Sequence, residues 1–262
     1  MLKFIIPLFF LSVCSTAHGQ ILKQPIPDKL VVLTFDDATA SQYSVVAPLL
    51  KEFGFGATFF VCEFPTKSPD RSAYMDWQEI DELDEMGFEV ASHTRNHINV
   101  GKVPKAQFIE ELRYIEDKCD SLGIDQPLNF AYPGYGLSAP AMETLREEGY
   151  KFARTGGSRP YDPQSDHPFL LPSWATNADN KAQIMSAFGE AQNGKIVILT
   201  IHGVPDIEHP WVDTPPALFK EYLQYLSAHN FKVISIRDLN AYINVDEALE
   251  TIVPDLNKPL RN

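Results

Sequence analysis

Between residue 30 and about residue 245 the chain alternates short uninterrupted apolar runs with longer amphipathic segments, a pattern that few folds satisfy. The apolar runs lie at 30–35, 57–61, 88–92, 128–132, 152–155, 169–174, 196–201 and 232–236. Most are continuous rather than alternating, as strands covered on both faces are. Between them one segment carries Phe108, Leu112, Ile115, Cys119 and Leu122 at three- and four-residue steps, with Glu and Lys elsewhere. That spacing predicts a helix whose apolar stripe faces a core. Thr214 before Pro215 predicts an N-cap and a first-turn proline, opening a helix whose apolar positions include Leu218, Tyr222 and Tyr225. Strand and helix alternating about seven times predict an α/β domain on a parallel sheet, either closed as a barrel or open and doubly wound. In both, chemistry gathers at the carboxyl ends of the strands.

No composition shift or Gly/Ser-rich linker interrupts residues 20–262, which read as a single domain. Residues 1–19 stand apart: Lys3, the apolar run 4–11, then small residues ending Ala17-His18-Gly19. This predicts a secretory signal peptide cut after Gly19 and hence a secreted, periplasmic or envelope protein. The run is too short for a membrane span, which takes about 20 residues. Leu11-Ser12-Val13-Cys14 loosely resembles a lipoprotein cleavage box, with Val13 where such boxes carry a small residue, so lipidation at Cys14 is the lesser expectation. Loss of residues 1–19 removes Lys3 alone among charged residues, leaving 21 basic against 35 acidic, or −14. Such acidity argues against nucleic acid and anionic membrane surfaces as partners. Cys62 and Cys119 cannot make a disulfide scaffold and read as buried small hydrophobes, with a single bridge between them as the alternative.

Three of the apolar runs deliver polar groups where a parallel strand should end. The first leads into Asp36-Asp37, two carboxylates that are costly side by side without a cation. The third leads into His93-Thr94-Arg95-Asn96-His97, and on a helical turn residues four apart share a face. The seventh delivers His202-Gly203. Taken singly, each has an ordinary reading, as a helix-capping Asp, exposed loop histidines or a structural His. Together they place Asp-Asp, His-x-x-x-His and His on one rim. Two imidazoles and a carboxylate with open positions suit a hydrolytic zinc site.

With those residues in place the chain resembles the polysaccharide deacetylases of carbohydrate esterase family 4, whose shared module is the NodB homology domain, over roughly residues 30–240. Thr34-Phe35-Asp36-Asp37 is similar to the family's first motif and His93-Thr94-Arg95-Asn96-His97 to its second. The resemblance implies a distorted (β/α) barrel of about seven parallel strands. It implies Asp36 as general base, Asp37, His93 and His97 as ligands of a divalent metal, usually Zn2+ and in some members Co2+ or Ni2+, and His202 as general acid. The implied partner is an acetylated glycan or oligosaccharide, with N-acetyl favoured over O-acetyl.

The middle of the chain departs from the family pattern. At the third motif, which normally holds an Arg that orients the base, Phe130-Ala131-Tyr132-Pro133-Gly134-Tyr135-Gly136 has Ala131 near the Arg position. Tyr135 or its neighbours remain as oxyanion donors, and Arg154, at the end of the next run, is the candidate to supply the missing charge. The fourth motif pairs an Asp with a Trp, and Ser173-Trp174 keeps the aromatic alone. Trp174 is expected either to line the acetyl pocket or to pack in the core, and Asp166 and Asp179 are the candidates to tune His202. Beyond His202, the loop through His209 and Trp211 offers substrate contacts, Trp211 foremost. Other function classes compatible with the residues are an amidohydrolase acting on a small cyclic amide, a non-haem iron oxygenase and a silent sugar-binding module.

Overall fold

The computed structural model describes residues 19–63, 73–256 and 258, so the expected signal peptide lies, up to residue 18, outside the described residues. Among these residues eight strands form one sheet: β1 (Leu30–Asp36), β2 (Thr58–Val61), β3 (Glu89–Ser92), β4 (Asn129–Ala131), β5 (Phe152–Arg154), β6 (Trp174–Ala175), β7 (Val197–Ile201) and β8 (Lys232–Ile234). Their order is β5-β4-β3-β2-β1-β7-β6, with every pairing parallel, and β8 shares with β2 the edge of β1 opposite β7. The sheet curls into a half-barrel. The run at 169–174 is shorter as a strand than its apolar length predicts, because it spans the gap between the sheet's edges. Leu171 makes one isolated bridge to Arg154 on β5, and Trp174 then pairs with β7.

Among the described residues seven α-helices alternate with the strands: α1 (Ala47–Phe53), α2 (Trp77–Glu85), α3 (Lys105–Leu122), α4 (Ala139–Glu147), α5 (Lys181–Phe188), α6 (Pro216–Ala228) and α7 (Val245–Thr251). The stripe predicted on α3 is buried at Phe108, Leu112, Ile115 and Cys119, while Leu122, in the last turn, is exposed. The predicted cap at Thr214 is corrected. The helix opens at Pro216 without a side-chain cap, and the Thr214 hydroxyl instead lies 2.7 Å from that of Thr176. Cys62 and Cys119 are separate buried thiols, not a bridge, and burial pushes the Cys119 thiol up to about 12. Among the described residues no helix is long and apolar enough to cross a membrane.

Strand alternation divides the core. Val31, Leu33 and Phe35 of β1, Val197, Leu199 and Ile201 of β7 and Val90 of β3 face the helices in one cluster. Leu30 and Val32, Ile198, Ala91, Ala131 and Phe152 form a second cluster inside the curl. Two and four residues further along the inner faces, the same parity reaches Thr34 and Asp36, Thr200 and His202, and, two residues beyond Ala91 and Phe152, His93 and Arg154. The polar site is therefore the inner layer of the half-barrel, continued past the point where its apolar filling stops.

Candidate active site

Asp36, Asp37, His93, His97 and His202 line one open cavity of about 480 Å³, together with Tyr132, Gly134, Tyr135, Ala175, His209, Trp211 and Val212. Asp36 reaches it by strand parity, and Asp37 by a left-handed turn (φ 74°) that brings adjacent carboxylates to one side. The two histidines converge differently from expectation. Residues 93–99 are not helical; a turn with Thr94 at φ 61° and His97 at φ 50° puts the rings 4.9 Å apart. Glu111 of α3 fastens that turn, its carboxylate accepting from the backbone N–H and side-chain amide of Asn96, both at 2.7 Å. Glu111 lies off the apolar stripe of α3, among its Glu and Lys positions, yet is buried.

The donor set fits a divalent metal. One ligand atom from each of Asp37, His93 and His97 lies within 4.8 Å of the others. Nε2 of each imidazole is 3.4 Å from Asp37 Oδ1, an oxygen that is buried and, among the described residues, accepts no hydrogen bond. His93 Nδ1 sits 2.9 Å from the Ala131 carbonyl, a contact that places the proton on Nδ1 and turns Nε2 toward the site. Burial alone would raise the Asp37 carboxyl, but the His93 side chain and the charges of His202, His93 and His97 outweigh it and hold the group well below the carboxylate range.

Asp36 meets a fully buried arginine. Arg154 Nη2 donates to Asp36 Oδ1 and Oδ2 at 2.6 and 2.5 Å, while its guanidinium carbon lies 5.4 Å from the Phe60 ring centre and 5.7 Å from that of Tyr135. Ala131 and Arg154 are direct partners across β4 and β5. Their side chains thus share a face, and the charge missing at Ala131 arrives from the next strand over the space a methyl group leaves.

Trp174 does not reach the cavity. It pairs with Leu199, on the helix-facing side, and is buried in the outer cluster, whereas its neighbour Ala175 pairs with Thr200 and lines the cavity. Trp174→Ala is therefore expected to lower the free energy of unfolding by about 3–5 kcal/mol in denaturant titration, with KM unchanged. Ser173, at the family's Asp position, donates to the Thr155 carbonyl at 2.6 Å and pairs with the Thr200 hydroxyl at 2.7 Å. Neither candidate for tuning His202 does so. Asp166 is held by Arg159 and Lys258, Asp179 is exposed, and the buried Nδ1 of His202 takes no hydrogen bond among the described residues.

The loop after β7 is tightly folded around Asp206, whose carboxylate accepts from the backbone N–H of Gly203 and His209. It presents His209 and Trp211 on the rim, their rings 5.3 Å apart, with Trp211 70% exposed. A Cβ at Gly203 would lie 2.5 Å from Asp206 Cα and 2.6 Å from the Pro205 carbonyl oxygen, both backbone atoms. Gly203→Ala is expected to cost about 1–3 kcal/mol of stability and to displace His202, read as a fall in kcat that exceeds any loss of folded protein.

Tyr135 lines the cavity, but its N–H is already donated to the Tyr132 carbonyl at 3.0 Å, and that of Gly136 to Pro133. Sequence reasoning missed Tyr132, which lines the cavity with a buried hydroxyl that takes no hydrogen bond among the described residues. Burial raises that phenol and keeps it a donor.

The polysaccharide deacetylase family model matches residues 23–153, half of the chain, and that stretch contains Asp36, Asp37, His93 and His97. The chain belongs to the polysaccharide deacetylase family. His202 and Arg154 lie beyond the matched stretch, and their place in this site rests on geometry. The Bacillus subtilis (strain 168) protein YxkH is 24% identical over 128 residues, 49% of this chain and 45% of that one, so the chain spans less than half of this relative. The Xyl-CE4 domain of a multidomain xylanase from the hindgut metagenome of Trinervitermes trinervoides is similar in fold, with TM-score 0.57, 19% identity, 81% of this chain and 90% of that one covered. So is BA3943, a CE4 family pseudoenzyme from Bacillus anthracis, with TM-score 0.56, 15% identity, and 82% and 66% covered. A pseudoenzyme among the fold's neighbours means that activity must be argued from the site, not from the sheet.

Proposed function

We propose that this chain is an exported, metal-dependent hydrolase that removes acetyl groups from a carbohydrate, N-acetyl in preference to O-acetyl. The observation that carries the reading is the meeting, in one cavity, of the Asp37, His93 and His97 ligand atoms with an arginine-held Asp36 and with His202. A divalent metal there, for which zinc suits the donor set, would polarise the acetyl carbonyl and acidify the attacking water. Asp36 takes the proton from that water, its carboxylate oriented by Arg154 and its backbone by β1. His202, carried on β7, returns a proton to the leaving amine. An amine leaves poorly without a proton, so a dedicated acid supports amide over ester cleavage. In the turn 132–136 the N–H groups of Tyr132, Tyr135 and Gly136 are all donated to carbonyls, which leaves Gly134 as the backbone donor for the developing oxyanion, beside the Tyr132 hydroxyl. The apolar run and small residues of 1–19 support export.

Acetate release from acetylated chitooligosaccharides, peptidoglycan and acetylxylan tests the reading, with Asp36→Asn and His93→Ala as controls. Release from none of them by the metal-loaded protein, or full activity in either control, overturns it; the first result favours a silent sugar-binding module. The exposed Trp211 face is proposed to stack on a sugar ring next to the one being deacetylated. Trp211→Ala is expected to raise KM for oligosaccharides roughly tenfold, about 1.4 kcal/mol, with unchanged Tm.

A further inference from the structure

The β1–β7 ladder ends at Phe35–Ile201, one residue short of Asp36 and His202. There the backbone rungs stop and side chains take over. Gln42, fully buried in the π-helical turn Gln42–Val46, donates its amide N–H groups to the carbonyls of both Asp36, at 2.5 Å, and His202, at 3.2 Å. Its neighbour Ser41 adds the next tie, its hydroxyl oxygen accepting from the Val204 N–H at 2.8 Å. The Gln42 amide oxygen, by contrast, is buried and accepts nothing among the described residues, a cost to stability that an apolar side chain of the same length would avoid.

We infer that the Ser41–Gln42 pair is a clamp that sets the separation of the base and acid strand ends, with Gln42 a positioning residue for His202 and Asp36. The inference rests on the deacetylase reading above and adds to it what holds the two groups in register. Two backbone carbonyls need two N–H donors on one side chain, and a glutamine amide supplies both. Without them, the backbone tie that continues the β1–β7 ladder past Phe35–Ile201 is reduced to the Val204 N–H held by Ser41.

The test uses the metal-loaded full chain and two substrates, an N-acetylated chitooligosaccharide and an aryl acetate such as 4-nitrophenyl acetate. The amine must be protonated as it leaves, whereas the phenolate leaves unaided, so the ratio of the two rates reads the placement of the acid and cancels any loss of folded protein. Gln42→Met is expected to lower kcat on the N-acetyl substrate about 100-fold with KM unchanged, and to lower aryl acetate turnover far less. Ser41→Ala, a milder lesion at a partly exposed position, is expected to shift the ratio in the same direction by a smaller factor and serves if Gln42→Met folds poorly. Equal losses on both substrates, or a rise in KM alone, overturn the clamp. Failure of the unaltered protein to release acetate from any glycan overturns the functional reading instead.

Discussion

Arg154→Met is expected to be among the most damaging single changes in the chain, lowering stability by about 3–5 kcal/mol and deacetylation by two orders of magnitude or more. The size comes from burial on both sides. Arg154 is fully buried and Asp36 3% exposed, so removal of the guanidinium strands a carboxylate away from water beside the Asp37 carboxylate. Asp36→Asn is expected to be harmful for the converse reason: among the described residues Arg154 Nε and Nη1 already lack hydrogen-bond partners, and the carboxylate is what answers the charge. Asp36→Asn with Arg154→Met removes both charges and is expected to recover much of the stability and none of the activity. Because Ala131 and Arg154 are register partners, Ala131→Arg with Arg154→Ala is expected to restore part of the rate that Arg154→Ala loses. Denaturant titrations of the five variants, alongside acetate release, check these outcomes. Wild-type turnover in Arg154→Met would remove the arginine from the account of the base.

The sheet and the residues at its rim were legible in the sequence because both obey short-range rules. Continuous apolar runs mark doubly covered strands, and the residues at the carboxyl end of each run land on the rim. Parity could have gone further. Counting by twos from Val32, Ile198 and Phe152 selects Asp36, His202 and Arg154 as inner-face residues. The same count needs a register before it can speak for Trp174, since a strand of two residues carries no phase of its own until its pairing with Leu199 and Thr200 is known. The features that stayed hidden depend on turns and on distant partners. The positive φ at Asp37, Thr94 and His97, the Ala131 carbonyl behind His93, and Glu111 behind Asn96 join segments that sequence spacing does not relate. His-x-x-x-His suggested one turn of helix, yet the rings meet through backbone of the opposite hand.

Stripping the proposed metal is expected to abolish deacetylation and to lower the apparent stability, and zinc is expected to restore both. At a metal concentration 1,000 times Kd, binding to the folded state alone contributes about 4 kcal/mol, and chelation removes that contribution. The three ligands should not be equivalent. His93 is nearly fully buried, with Nδ1 fixed by the Ala131 carbonyl, so His93→Ala opens a cavity as well as losing a ligand. His97, a quarter exposed in its side chain, leaves the site with less disturbance. Asp37→Asn keeps the shape and removes the charge, which leaves two imidazoles with no anion between them. The expected order of retained metal, measured per chain after dialysis, is unaltered protein, then His97→Ala, then Asp37→Asn and His93→Ala, with Tm gain on adding zinc falling in the same order. Trp211→Ala is expected to bind metal as the unaltered protein does, since its exposed ring is not among the candidate ligands. Undiminished zinc retention in Asp37→Asn, together with turnover that survives chelation, would mean that the Asp-His-His cluster serves the fold and that acetyl transfer to water, if it occurs, rests on Asp36 and His202 alone.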